Sequence, residues 1–147
     1  MNPGFAVPAL RLTASQYETI VGNCYDGLPD EACGLLVGPM VAGEPTGVVS
    51  EARPARNADA SARTYTVDPK DLLAAMRAAE ARGEEIVGVW HSHTHTDAYP
   101  SPTDVRQAVD AAWLYVIVSL RDQAPVLRTY RIRNGEIAEI QVALQRG

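Results

Sequence analysis

The chain contains one lysine, Lys70, only two cysteines, and no run approaching 18 consecutive apolar residues. Each shortage excludes something. Cys24 and Cys33 are too few to build the disulfide framework that staples small secreted domains. Without a long apolar run, no membrane-spanning helix is expected. The opening stretch, Met1 to Leu12, lacks a basic start followed by an apolar block, so no signal peptide is expected and the cytoplasm is the anticipated compartment. The basic residues, almost all Arg, are scattered, and the formal net charge is -5. A surface for nucleic acid or acidic membrane would cluster them, so neither partner is expected. Internal repeats and low-complexity segments are also lacking.

What is present fits one ordinary domain over residues 1–147. With 46% hydrophobic and 21% charged residues, a chain of this size can bury roughly 70% of the surface its unfolded form exposes. Thr13 or Ser15 is a natural N-cap for a helix carried by Tyr17, Ile20, Val21 and Cys24, ending at Gly27 to Pro29. Cys33 to Val37 reads as a buried strand, followed by a Gly/Pro-rich loop over Pro39–Pro45 and a strand from Gly47 to Arg53. Asn57 to Arg63 is turn-like, and Thr64 to Val67 reads as extended. Asp68-Pro69 opens a second helix whose apolar face is expected at Leu72, Leu73, Met76 and Ala79, with Gly83 as its stop. Glu85 to Trp90 is a strand of buried type. Ser101-Pro102 starts another helix, carried by Val105, Ala108 and Val109. Leu114 to Leu120 and Val126 to Arg133 are strands, and Asn134-Gly135 is a hairpin turn that pairs Glu136 to Val142 back. Hairpins mixed with intervening helices predict an α/β (α+β) sandwich around a mixed, mainly antiparallel sheet flanked by helices.

The chemistry concentrates at Trp90-His91-Ser92-His93-Thr94-His95, which holds all three histidines. If the strand continues that far, His91 and His93 point to one face and Ser92 to the other, where structural support is its expected role. An isolated His-x-His is ordinarily a pair of surface histidines. The following segment changes the weighing, because a catalytic zinc takes three protein ligands and a water, and Asp104 can return a carboxylate to the strand end. Ser101-Pro102-Thr103-Asp104 is equally a helix start, with Ser as N-cap and an acid at N3. The two roles are compatible.

His91-Ser-His93, then Ser101 and Asp104 at their spacing, with Glu31 ahead of an apolar strand in Asp30-Glu31-Ala-Cys33-Gly34, resembles the signature of the JAMM (MPN+) metalloproteases over essentially the whole chain. Within that family, Ala98-Tyr-Pro-Ser101 and Thr103-Asp-Val105 look most like bacterial members that act on sulfur carriers. The resemblance implies a curved-sheet MPN sandwich and one Zn2+ held by His91, His93 and Asp104. It implies Glu31 as general base and Ser101 as the donor to the oxyanion. It further implies a peptidase acting on a ubiquitin-like sulfur carrier with a C-terminal Gly-Gly tail, releasing cysteine from a carrier–cysteine adduct. Alternatives within the family are a desampylase- or deubiquitinase-like isopeptidase and a non-catalytic MPN scaffold. Thr94 stands where many members have proline, which weakens the deubiquitinase reading more than the metal site. Oligomeric state is left open, a homodimer included.

Two residues near the motif could carry other chemistry. His95 shares the ligands' parity, but three protein groups suffice without it. Cys33 has the parity of Glu31, and a cysteine hydrolase pairing it with His91 or His93 is the competing mechanism. A cysteine in an apolar strand is ordinarily inert packing, because reactivity requires a stabilised thiolate.

Overall fold

A computed structural model describes residues 9–108 and 110–146. Met1 to Pro8, part of the stretch read as lacking a signal peptide, and Val109, expected in the third helix, lie outside them.

The described chain begins with β1 (Leu10–Thr13) and α1 (Ala14–Asp26). Thr13 is the N-cap in a capping box: its Oγ1 accepts from the Gln16 N–H at 3.1 Å, and the Gln16 side chain accepts from the Thr13 N–H at 3.0 Å. β2 (Cys33–Gly38), β3 (Met40–Val41), β4 (Glu44–Pro45) and β5 (Glu51–Ala55) follow, then α2 (Pro69–Ala81), β6 (Glu85–His93) and α3 (Pro102–Gln107). β7 (Leu114–Ser119), β8 (Val126–Arg133), β9 (Glu136–Ile140) and β10 (Val142–Gln145) complete the order. Six strands form one sheet in the order β5-β2-β6-β7-β8-β9, parallel only between β6 and β7. The fold is therefore the mixed, mainly antiparallel sheet flanked by helices that the sequence predicts. No described helix is long and apolar enough to cross a membrane.

Side-chain alternation gives the sheet two apolar faces. One carries Leu36, Trp90, Leu114, Val116 and Val118 against Ile20 and Cys24 of α1 and Leu10 and Leu12 of β1. The other carries Leu35, Val89, Tyr115 and Ile117 against Ala75 of α2, with Val105 of α3 beside them. Within β6 the alternation is reset once. Leu36 pairs with Gly88 but Val37 pairs with Ile86, leaving Val87 as a bulge. Parity beyond it puts Val89, His91 and His93 on the α2 side, and Trp90 and Ser92 on the α1 side.

Several elements differ from their sequence expectation. Residues 47–49 lie outside the sheet: Arg11 bridges Val48, and the Gln16 side chain donates to the Val49 carbonyl at 2.8 Å, so α1 and β1 hold this segment. The strand starts at Glu51 and runs through Pro54, which is tolerated because β5 is an edge. The Pro39–Pro45 loop contains the small β3–β4 hairpin. Thr64 to Val67 forms no strand beyond a single bridge between Asn57 and Val67. The chain leaves the sheet after Ile140, and β10 pairs in parallel with β1, an element with no local sequence signal. Asn134 and Gly135 do form the hairpin turn, at φ 52° and 79°. On α2, Ala75 and Ala79 are buried while Leu73 and Met76 are about half exposed. Leu72 and Ala79 pack inward as expected, and the small side chains of Ala75 and Ala79 let the helix lie close to the sheet, so Leu73 and Met76 are left outward.

Gly34 lies opposite Trp90 on β6, whose indole Nε1 donates to the Asn23 side chain at 3.0 Å. A Cβ at Gly34 would overlap the Trp90 ring. Gly34→Ala is expected to cost about 1–3 kcal/mol through overpacking, read as a lowered urea midpoint. An unchanged midpoint would mean that the indole is free to move.

Candidate metal centre

β6 continues as a strand through His93, and alternation sends both imidazoles to the α2 side at its C-terminal end. The chain then loops to Ser101, which caps α3. Its Oγ accepts from the Asp104 N–H at 3.0 Å, while Oδ2 of Asp104 accepts from the Ser101 N–H at 2.9 Å. The same oxygen is 3.0 Å from Nε2 of His93 and 3.2 Å from Nε2 of His91, and the two Nε2 atoms are 3.1 Å apart. Capping and convergence on the histidines are thus carried out by one carboxylate.

These three atoms suit a metal ion. Ligands at 2.0–2.1 Å around a tetrahedral ion lie roughly 3.3 Å from one another, close to the separations found. The proton inventory points the same way. His93 Nδ1 is 2.7 Å from the Asp97 carbonyl, which can only accept, so the proton sits on Nδ1. In the neutral imidazole, the His93 Nε2 lone pair then faces another imidazole nitrogen and a carboxylate oxygen. A cation between them satisfies all three, and a carbonyl on the far nitrogen is the usual way to fix a metal-binding tautomer. Among the described residues, His91, His93 and Asp104 form the one His/Cys/Asp/Glu group with this convergence, and His95, exposed, is not part of it.

Electrostatics favour the ligating form of His91 and Asp104. At His93 burial is outweighed by the Asp104 carboxylate and the Asp97 carbonyl, which hold its imidazole above the ordinary value and favour a proton there until a cation displaces it. Burial pushes the His91 imidazole below its ordinary value, against the pull of Asp104. Burial alone would raise the Asp104 carboxyl, but its hydrogen bonds with the imidazoles and the Ser101 N–H hold it well below the usual carboxylate range.

Glu31 is buried, and it lines a cavity of about 330 Å³ together with His93, Ser101, Thr94, His95 and Arg63. Its backbone is held from three sides. Its N–H donates to the Ser61 carbonyl at 2.8 Å, and its carbonyl accepts from Asn57 Nδ2 at 3.0 Å. Next to it, the Ala32 N–H donates to Ser92 Oγ at 2.8 Å, and the Ser92 N–H donates to the Ala32 carbonyl at 3.0 Å. Ser92 faces away from the ligands, as its parity predicts, and ties Glu31 to their strand. Burial pushes the Glu31 carboxyl up to about 7; His93 pulls it down, and Asp104 and Asp59 add to the rise.

Cys33, opposite His91, is buried, and its Sγ donates to the Arg56 carbonyl at 3.5 Å. Burial pushes its thiol up to about 12. Almost none is thiolate at neutral pH, which removes the basis for a cysteine nucleophile.

Sequence reasoning did not single out Asn57 and Tyr65. The Tyr65 ring stacks on His91, with centroids 4.3 Å apart and planes at 17°. The Asn57 side chain donates to the Glu31 and Thr64 carbonyls and accepts from the Asp59 and Thr66 N–H groups. Thr94 Oγ1 donates to the Ala62 carbonyl at 3.3 Å. The loop over 56–67 is therefore a built wall of the site, and no short-range spacing announces it.

The profile of the family described as prokaryotic homologs of the JAB domain matches residues 13–133. The CysO-cysteine peptidase of Mycobacterium tuberculosis is 39% identical over 134 residues, covering 90% of this chain and 89% of that one. The desampylase of Haloferax volcanii is 30% identical over 141 residues, covering 92% and 96% respectively. A solution structure of a Desulfitobacterium hafniense protein superposes with a TM-score of 0.82 at 32% identity, covering 93% of each chain.

Glu31 supplies a test that needs no substrate. Its folded value lies above the ordinary 4.5, so the folded state holds the proton more tightly, and stability is lost as pH rises from about 4.5 through about 7. Metal-free Glu31→Gln is expected to match the wild type near pH 4 and exceed it by roughly 1–3 kcal/mol at pH 8, measured by urea denaturation across pH. A gap that does not widen with pH would remove the buried carboxyl.

Proposed function

The chain belongs to the family of prokaryotic JAB-domain homologues, hydrolases of the JAMM metallopeptidase type, and from that premise we propose that residues 1–147 form a single catalytic domain that hydrolyses the amide bond after the Gly-Gly tail of a ubiquitin-like sulfur carrier, releasing a C-terminal cysteine. The observation that carries the reading is the convergence of His91, His93 and Asp104 within about 3 Å of one another, with Glu31 and Ser101 lining the cavity beside them. The relatives named for peptidase and desampylase activity support the class of substrate. Two free, buried cysteines fit a cytoplasmic setting, where thiols stay reduced.

In this reading His91, His93 and Asp104 hold one Zn2+. When bound, the ion supplies Lewis acidity and brings the pKa of a coordinated water down toward ~7. Glu31 takes the proton of the attacking water on a carboxylate oxygen and passes it to the leaving amine nitrogen. Its fixed backbone keeps that oxygen in place between the two transfers. Ser101 Oγ already accepts from the Asp104 N–H, so its own proton remains to donate to the oxygen that becomes negative in the tetrahedral intermediate. Tyr65 covers the His91 ring and keeps bulk water from that side. The 30% identity to a desampylase supports a second reading, an isopeptidase on another ubiquitin-like modifier.

The deciding assay incubates the protein with a sulfur carrier ending in Gly-Gly-Cys and follows the carrier's mass. Loss of one cysteine residue is expected, stopped by a chelator and restored by Zn2+. Glu31→Gln should retain its zinc yet lose at least about 10²-fold in turnover. A carrier left intact while a lysine-linked conjugate is cut would transfer the protein to the second reading.

The ligand set has its own test. Zn2+ at a hundredfold excess over its Kd should stabilise chelator-treated protein by roughly 2.7 kcal/mol. Asp104→Ala should abolish the shift. A full zinc-dependent rise in melting temperature in that variant would rule out Asp104 as a ligand.

A further inference from the structure

We infer that Arg63 binds the free α-carboxylate of the residue being released, so that the cavity selects a carrier ending in one amino acid over a carrier joined to a lysine side chain. The inference deepens the peptidase reading above and rests on it.

The cavity is about 330 Å³, near the lower end of small-molecule pockets. That suits a single residue. Among its lining residues Arg63 is the one arginine, and it is exposed. Its guanidinium makes no hydrogen bond or ion pair to any described residue, and of the arginines so placed it is the one that lines this cavity. The backbone beneath it is nonetheless fixed. The Arg63 and Thr64 N–H groups both donate to Ser61 Oγ, at 3.0 and 3.3 Å. The neighbouring Ala62 carbonyl accepts from Thr94, the residue after the ligand strand. The backbone that carries this guanidinium is thus fixed at the rim of the site, and the side chain's donors are uncommitted among the described residues.

The chemistry of the leaving group says what those donors meet. In a carrier–cysteine adduct, the α-carboxylate is separated from the scissile nitrogen by a single Cα, so it must lie in the same cavity as the reacting bond. Glu31 lines that cavity and repels another carboxylate when ionised. A guanidinium answers that repulsion and matches carboxylate geometry with two parallel N–H donors. In an isopeptide, the leaving nitrogen is followed by four methylenes, which bring no carboxylate to this position. Arg63 would then have nothing to bind.

The test compares zinc-loaded wild type, Arg63→Ala and Arg63→Lys on two carriers, one ending in Gly-Gly-Cys with a free acid and one with the same terminus as its amide. The wild type should prefer the acid by roughly ten- to a hundredfold in kcat/KM, mainly through KM. Arg63→Ala should lose that preference, its kcat/KM on the acid falling by roughly ten- to a hundredfold more than its kcat/KM on the amide. Arg63→Lys should recover part of it. Equal kcat/KM for acid and amide in the wild type, or an unchanged ratio in Arg63→Ala, would overturn the inference and leave the peptidase reading standing. If the wild type cuts neither carrier, the peptidase reading itself falls, and this inference with it.

Discussion

One carboxylate oxygen organises the functional end of this molecule. Oδ2 of Asp104 accepts from the Ser101 N–H and meets Nε2 of both His91 and His93 within 3.2 Å. Three acceptor-type atoms so close together, in a largely buried place, are costly unless a proton or a cation sits among them. The Asp97 carbonyl takes the Nδ1 proton of His93, which turns its lone pair toward the shared centre. A proton on His93 or a divalent cation can supply the positive charge, and the spacing of the three atoms suits the cation.

The sheet explains why these atoms meet. β6 and β7 are the parallel pair, and a parallel pair requires a crossover connection. Here the crossover carries the loop after His93 and the short α3, so the Asp104 carboxylate returns to the end of the strand that presents the histidines. The bulge at Val87 sets their side. Counting strict alternation from the start of β6 would turn both imidazoles toward α1, onto the face occupied by Trp90 and the larger apolar cluster. The extra residue swings them toward α2, where the crossover and the 56–67 loop leave a cavity.

The second constraint is the placing of Glu31. Burial pushes its carboxyl up to about 7 in the metal-free protein, and the backbone that carries it is tied down. Ser92, Asn57 and Ser61 hold the backbone on both sides of it. All of these contacts are made to backbone atoms of Glu31 and Ala32, leaving the Glu31 carboxyl free to face the cavity. They convert a glutamate ahead of a strand, ordinarily a solvated acid, into a buried group that shares a cavity with His93 and Ser101. The same loop that supplies two of those partners also supplies Tyr65 over His91 and Arg63 at the cavity rim.

Much of this was legible along the chain, because its causes are local. Capping chemistry at Thr13, Asp68 and Ser101 marks three helix starts, the Asn134-Gly135 pair marks a hairpin, and the spacing of Glu31, His91, His93, Ser101 and Asp104 carries the family resemblance. Strand parity already separated Ser92 from the two histidines. What the chain did not disclose depends on partners distant in sequence. β1 exists because β10 pairs with it from the other end of the chain, and residues 47–49 lie outside the sheet, where α1 and β1 hold them. The alanine side of α2 faces inward because the sheet admits a close helix, which no periodicity within the helix could specify. The wall formed by Asn57, Ala62 and Tyr65 follows no motif, since its hydrogen bonds and ring contact are made to Glu31, Thr94 and His91 across the fold. Short-range chemistry thus determined which groups are available, and only tertiary packing decided which of them face one another, because burial and electrostatics act through space and not along the chain.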